Sequence, residues 1–389
     1  MRYANPPLMQ KKIEGSRSRH YLELDGLRGI AILIVVAYHY NLAPFLGGVG
    51  VDMFFVLSGF LLGGTLLDKK EAPNYFRAFY ARRVCRIFPL YFLSLFLFLI
   101  LLLAAPFTLG WWLFGDSIRF LLADPLPLWS YFTFTQNFAM VEQGVWGTPW
   151  LAHAWSLAVV EQFYLLLPFL IWFVSRERLP YLLTALILAA PLSRTLLYSF
   201  HPHGDFGLYV LMPCRADSLL LGVLCAYAIR NERCLNFLRT HTRALYGMFT
   251  VLVAGVVLMV LSRPQTPTPH QPFFAPSYGY TWLALLYSCV LLIAITEKRG
   301  LVTWVTRIRP LDKLATITFG VYLLHMPIGM SFRWLILGQL QVPQTWWSTL
   351  IVALGGLLIT LAVTSISWIF FEKRIVNWGR SFKYGDAGN

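Results

Sequence analysis

Residues 24–62 read LDGLRGIAILIVVAYHYNLAPFLGGVGVDMFFVLSGFLL. Two apolar runs, joined by a Pro- and Gly-containing turn, are each long enough to cross the ~30 Å hydrocarbon core of a bilayer as a helix. The pattern continues almost to the C-terminus, with apolar segments at 25–46, 49–67, 87–109, 150–174, 180–199, 207–229, 244–262, 279–296, 314–331 and 348–371. This predicts an all-α polytopic membrane protein of about ten transmembrane helices. Composition agrees: 57% of the 389 residues are hydrophobic and only 13% charged, with a mean hydropathy of +0.60. A soluble multidomain chain of this length would carry roughly twice that share of charge.

The formal net charge of +14 does not imply nucleic acid, because the basic residues form short clusters between apolar runs instead of one solvated face. Those clusters set an orientation. With the N-terminus in the cytosol, of 32 Lys and Arg only Arg119, Arg263 and Arg333 fall on the far side, and Arg28, Arg194 and Arg215 fall inside spans. The positive-inside rule then places both termini in the cytosol. The organisation expected is a cytosolic basic tail over 1–20, a transmembrane domain over 21–376 and a short cytosolic tail over 377–389. The first tail lacks the apolar core and cleavage site of a signal peptide, so the chain is expected to keep it. On the far side lie a Trp- and Tyr-rich stretch, 110–149, expected along the interface, and a Pro-rich one, 263–276. Cys85, Cys214, Cys225, Cys234 and Cys289 form no CxxC and no metal-ligand spacing with histidine, so no metal site is expected.

An ionised group at bilayer depth costs about 2.5–3.5 kcal/mol even on insertion scales, so it needs a partner, a protein interior or a water-filled path. Asp25, Arg28, His39, Asp52, Glu161, Arg194, Arg215, Asp217 and His325 occupy such positions. Arg28 and His39, eleven residues apart, share one helix face about 16 Å from each other. Helix rise puts His39 roughly 20 Å from the cytosolic end and Glu161, Arg215 and His325 at about 15–18 Å. Groups on several helices thus converge in depth, as a catalytic or transport site requires. Arg215 and Asp217 point about 200° apart, so each needs a partner from another helix. Arg194 lies near its span's end and is expected to snorkel. Asp52 follows GGVGV, where a turn and the dipole of a helix N-terminus account for it. The cluster Arg77, Arg82, Arg83 and Arg86 suits positive-inside charge; equally, Arg82 and Arg86, four apart, would offer two forked donors to a phosphorylated ligand.

LDGLRGIAILIVVAYH (24–39) and GGVGVDMFFVLSGFLL (47–62) closely resemble the opening of the acyltransferase type 3 family of membrane acyltransferases. Further matches are FYARRVCRIFPLY (79–91), HAWSLAVVEQFYLLLP (153–168), MPCRADSLLLG (212–222), ITFGVYLLHMPI (317–328) and FFEKRI (370–375). The resemblance implies transfer of an acyl group, commonly acetyl from acetyl-CoA as co-substrate, to a hydroxyl of a carbohydrate. It implies a stand-alone form, without the hydrolase-like domain fused to some relatives, in a bacterial inner membrane with polysaccharide-assembly proteins as partners. By the same carry-over His39 is catalytic with Arg28 as its motif partner. Arg82, Arg83 and Arg86 meet the donor, and Asp52, Ser58, Glu161, Arg215, Asp217 and His325 fill further polar positions. Relatives read VEEQFY where this chain has Val160 before Glu161, which leaves the role of the first acid to Glu161 or to no residue.

Acyl transfer from a thioester to an alcohol requires removal of the hydroxyl proton, stabilisation of an oxyanion and exclusion of water. His39 suits the first task as general base, or else carries the acyl group as acyl-imidazole. Asp52 is the first candidate to orient it, and Arg215 or a helix-end amide to meet the oxyanion. A slim pantetheine arm could reach such a histidine from the arginines while the charged CoA phosphates stay outside. The rival reading is a transporter or flippase for a carbohydrate or lipid-linked sugar, whose path would need the same buried charges and would make no bond.

Overall fold

A computed structural model describes residues 21–44, 48–104, 107, 119–123, 125–262, 277–338 and 345–385. Among them every regular element is helical. The first tail, the Pro-rich stretch, Trp111 and Trp112 lie outside the described residues. The long helices are α1 (Leu22–His39), α2 (Val49–Asp68) and α3 (Tyr75–Ala104). The short α4 (Leu128–Phe132) and α5 (Gln136–Gln143) precede α6 (Trp155–Phe173), α7 (Leu179–Phe200), α8 (Gly204–Val210) and α9 (Met212–Ala228). Then come α10 (Glu232–Thr240), α11 (Thr242–Leu261), α12 (Gly279–Thr296), α13 (Leu301–Thr306), α14 (Arg309–Leu337), α15 (Trp346–Ser367) and α16 (Lys373–Ser381).

Nine helical segments among the described residues are long and apolar enough to cross a membrane. The eighteen-residue α1 is not among them because Glu23, Asp25 and Arg28 crowd its first two turns. Several ends differ from the expected spans. α1 stops at His39 instead of 46, where Asn41 takes a left-handed φ of 59°. α3 starts at Tyr75 instead of 87, so the arginine cluster is helical. The span expected at 207–229 is two helices, broken at Leu211, whose ψ of 140° is extended, with Pro213 at the start of the second. The last span runs through a π-helical turn, Trp368–Glu372, into α16, so helix continues past residue 376 to Ser381.

α2 and α9 form the most extensive helix pair. Small residues permit it: a Cβ on Gly59 would strike the backbone carbonyl of Leu219, and one on Gly222 the carbonyl of Val56. Such close approach drives helix association where lipid removes the hydrophobic contrast. The α1–α14 and α14–α15 pairs make the other large contacts. The stretch before α6 does not simply coat an interface: Ser130, Tyr131, Gln136 and Asn137 are fully buried. Gln162 of α6 anchors it, donating from Nε2 to the Phe134 carbonyl at 2.8 Å and to Asn137 Oδ1 at 2.9 Å.

Candidate active site

His39 closes the last turn of α1, and its Nδ1 lies 3.0 Å from the Val35 carbonyl and 3.0 Å from Nε2 of His325 on α14. The two rings are tilted by 50° with centroids 4.9 Å apart. His325 is fully buried, and its Nδ1 faces the carbonyls of Tyr322 at 2.6 Å and Val321 at 3.1 Å. The next residue of α1's chain ties three helices together: Tyr40 donates its hydroxyl to the His325 carbonyl at 2.8 Å and sits 3.2 Å from Thr360 Oγ1 of α15. The expected convergence in depth therefore becomes contact for His39 and His325.

Three cavities follow one another along α14. The first, about 850 Å³ including its open mouth, is lined by Arg28, Ser58, Arg83, Arg86 and Tyr164, with Ala315 to Tyr322 along α14. The second, about 320 Å³, is lined by His39, His153, Trp155 and Tyr209, and shares Val51, Ser156 and Tyr322 with the first. The third, about 370 Å³, is lined by His39, Tyr40 and Asn41, with Met326 to Arg333 along α14. His39 is common to the second and third. A 1.5 Å rise per residue makes the sequence of cavities along α14, from Ala315 to Arg333, run roughly 27 Å, with the histidine pair between its ends.

The acids and arginines expected near His39 separate into two groups. Asp52 does not hold His39: it accepts from Arg215 Nη2 at 2.6 Å and from the Ser218 hydroxyl at 3.1 Å, with both charged groups buried. The close α2–α9 packing sets Asp52 opposite α9 and fixes this pairing. Asp217 pairs with Arg194 of α7 at 3.0 Å and accepts from Thr281 at 2.6 Å. Arg194 does not snorkel; it is fully buried and also donates to the carbonyls of Cys214 and Ser277. Arg215 and Asp217 thus take partners from different helices, as their angular separation requires. The remaining donors of Arg215, Nε and Nη1, lack hydrogen-bond partners, but its guanidinium lies 3.9 Å from the Tyr280 ring centroid.

The second group faces the first cavity. Arg28 is 40% exposed and only loosely paired, Nη1 to Asp25 at 3.3 Å. Arg83 and Arg86 line the cavity beside it, and Arg86 Nη2 also donates to the Thr316 carbonyl at 3.3 Å. Arg82, one turn before Arg86 on the same helix, is not among the lining residues: its Nε donates to the Phe382 carbonyl at 2.9 Å and its guanidinium stacks on Tyr384 at 4.9 Å. Ser58 and Val160 line the cavity, whereas Glu161 is not among its lining residues and its Oε1 is buried without a partner. Among the described residues no cluster of three or more His, Cys, Asp and Glu could hold a metal ion.

His153 was not singled out by sequence, although it opens the HAWSLAVVEQFY motif. Its ring packs edge-on against His325 and Tyr322, both at 5.2 Å, and neither ring nitrogen has a hydrogen-bond partner. Leaving a buried polar group unpaired costs about 1–3 kcal/mol. Tyr322 fixes this turn by donating to the His153 carbonyl at 2.7 Å and lying 2.8 Å from the Ser156 hydroxyl. A histidine at the head of a span, with Ser156 three residues on, was the available signal. Of the aromatics in the outer stretch, Trp129 is exposed and Trp146 packs on Phe206, while Trp150, at the head of the next span, is buried with Nε1 at 3.4 Å from Ser94 Oγ.

Comparison with known proteins gives a consistent picture. A family model described as an acyltransferase domain matches residues 21–369. YrhL of Bacillus subtilis, described as a candidate peptidoglycan O-acetyltransferase, is 29% identical over 382 residues. Peptidoglycan O-acetyltransferase OatA of Listeria monocytogenes is 27% identical over 380, and O-acetyltransferase OatA of Staphylococcus aureus 27% over 396. Each alignment covers 94% of this chain but 56%, 58% and 59% of the respective relative, so the chain spans under two thirds of their length. No solved structure matches.

Proposed function

The chain belongs to the acyltransferase type 3 family, and from that premise we propose that it is a membrane-embedded O-acyltransferase. In this reading it moves an acyl group, acetyl in the first place, from acyl-CoA on the cytosolic side to a hydroxyl of a carbohydrate. Both termini would then be cytosolic and the membrane a bacterial inner membrane. The names of the relatives suggest acetyl as the group transferred and peptidoglycan or a related surface glycan as the acceptor.

One observation carries the reading: His39 stands where two cavities meet, and the nearer one adjoins a cavity lined by three arginines. The CoA phosphates would sit at Arg28, Arg83 and Arg86, since forked guanidinium donors match phosphate oxygens. The pantetheine arm would pass between Val51, Ser156 and Tyr322, bringing the thioester to His39. The acceptor hydroxyl would arrive through the third cavity, past Asn41 and Arg333. His39 takes the hydroxyl proton as the oxygen attacks the thioester carbon, and the departing thiolate receives that proton. The apolar walls of the 320 Å³ cavity, Val35, Val51 and Trp155, keep bulk water from competing.

Purified protein incubated with acetyl-labelled acetyl-CoA and a glycan fragment should release CoA and form an alkali-labile ester. His39→Ala should lower that rate by about 10²- to 10⁴-fold, the usual contribution of a general base, with membrane insertion and melting temperature retained. Near-normal acetylation by His39→Ala would remove this residue from the chemistry. Sugar movement across vesicles with the thioester left intact would make the protein a carrier.

A further inference from the structure

Each imidazole in a neutral histidine pair has one N–H and one lone pair, so its partners dictate which nitrogen holds the proton. Both partners of His325 Nδ1, the carbonyls of Tyr322 and Val321, are acceptors. Nδ1 of His325 therefore carries the proton, and its Nε2 offers a lone pair. The group 3.0 Å from that lone pair is His39 Nδ1, whose other neighbour is again an acceptor, the Val35 carbonyl. Nδ1 of His39 must then be the donor to both, which leaves the lone pair of His39 on Nε2.

We infer that His325 is a positioning residue for His39: its Nε2 accepts the His39 Nδ1–H, holding the His39 ring so that the basic nitrogen is Nε2, on the edge opposite the pair. The inference rests on His39 being the base proposed above. Two features on the page favour it. The buried carboxylates on α2 and α9 are already closed, Asp52 by Arg215 and Asp217 by Arg194, so neither is available to orient the base. His325 is itself fixed at both ends, by its Nδ1 on its own helix and by the Tyr40 hydroxyl on its carbonyl.

In the reaction the acceptor O–H bond breaks and a bond from that hydrogen to His39 Nε2 forms. The oxygen adds to the thioester carbon, and the carbonyl electron pair moves onto its oxygen. When that pair returns, the C–S bond breaks and the thiolate takes the proton from Nε2. Throughout, His39 keeps its Nδ1–H on His325 Nε2, so the imidazolium that exists between the two transfers is stabilised by a neutral acceptor and not by a carboxylate.

The test compares His325→Phe, which preserves ring bulk but has no acceptor, with His325→Gln, whose amide oxygen can take the His39 Nδ1–H. His325→Phe should lose about 10- to 100-fold in kcat, the usual cost of removing an outer group that orients a functional one, with KM for acetyl-CoA within twofold. His325→Gln should recover at least half of that loss on a logarithmic scale. Equal losses in the two variants, a loss confined to KM, or wild-type turnover by His325→Phe would overturn the inference. The proton positions are read without turnover from 15N shifts of histidine-labelled protein, assigned with the same variants. Nδ1–H on both His39 and His325 is expected, and an Nε2–H on His325 refutes the pairing. If the wild type makes no ester, the enzymatic reading falls while this spectroscopic result still decides the dyad.

Discussion

Two parts of the molecule carry buried charge and treat it in opposite ways. Between α2, α7 and α9, each arginine is locked to one carboxylate: Arg215 on Asp52 at 2.6 Å and Arg194 on Asp217 at 3.0 Å, all four groups essentially without solvent contact. Between α1, α3, α6 and α14, Arg28, Arg83 and Arg86 face a cavity, and the ion pair of Arg28 to Asp25 is longer at 3.3 Å and partly exposed. In the first arrangement every charge is paired with an opposite one, and the second is open. Depth in the membrane therefore does not mark chemistry on its own. What separates the two is whether the charge already has its partner.

The largest effect that would break this contrast lies in the closed region. Arg215→Met should leave Asp52 buried without its counter-charge and destabilise the fold by about 3–5 kcal/mol. Asp52→Leu combined with Arg215→Met removes both charges and should recover most of that loss, since well-packed apolar replacements of a buried pair are commonly neutral. Thermal unfolding in detergent measures both. If Arg215→Met keeps its melting temperature and loses only turnover, the pair belongs to the reaction and the two regions are not distinct.

In the open region the expected effect is smaller and of another kind. Arg83→Gln and Arg86→Gln should each raise KM for acetyl-CoA about tenfold, equivalent to about 1.4 kcal/mol of lost phosphate contact, with kcat and melting temperature nearly unchanged. Unaltered KM in the double variant would assign these arginines to membrane orientation alone.

The sequence makes the open region more legible than the closed one. Arg28 and His39 share an α1 face by helical period, and counting residues brings His325 to His39's depth, so the core of the site follows from periodicity and rise. Partner choice does not follow from either. Asp52 meets Arg215 because Gly59 and Gly222 let α2 and α9 approach, a tertiary event that their separate spans do not encode. Arg194 looks free to snorkel until α9 supplies Asp217 and the chain before α12 supplies the Ser277 carbonyl. His153 escaped notice because a single histidine at the head of an apolar span carries no period; its significance comes from the ring of His325, 172 residues later in the chain. The start of α3 was missed for a related reason: four arginines interrupt the apolar run, although straight-chain residues of this type are good helix formers.

The finest test sets neighbours in the arginine cluster against each other. Arg82 and Arg83 are adjacent on α3, so their side chains leave the helix about 100° apart. Arg83 lines the first cavity, while Arg82 holds the segment after α16 through the Phe382 carbonyl and the Tyr384 ring. Arg82→Gln should therefore change KM for acetyl-CoA by less than about twofold and cost less than about 1 kcal/mol of stability, in keeping with one partly exposed hydrogen bond and one cation–π contact. A tenfold rise in KM, matching that of Arg83→Gln, would mean that the terminal segment is itself part of the donor site and that the open region extends to residues 382–384. An effect on melting temperature with KM unchanged would confine Arg82 to tethering, and would place the boundary of the donor site between two consecutive residues of one helix.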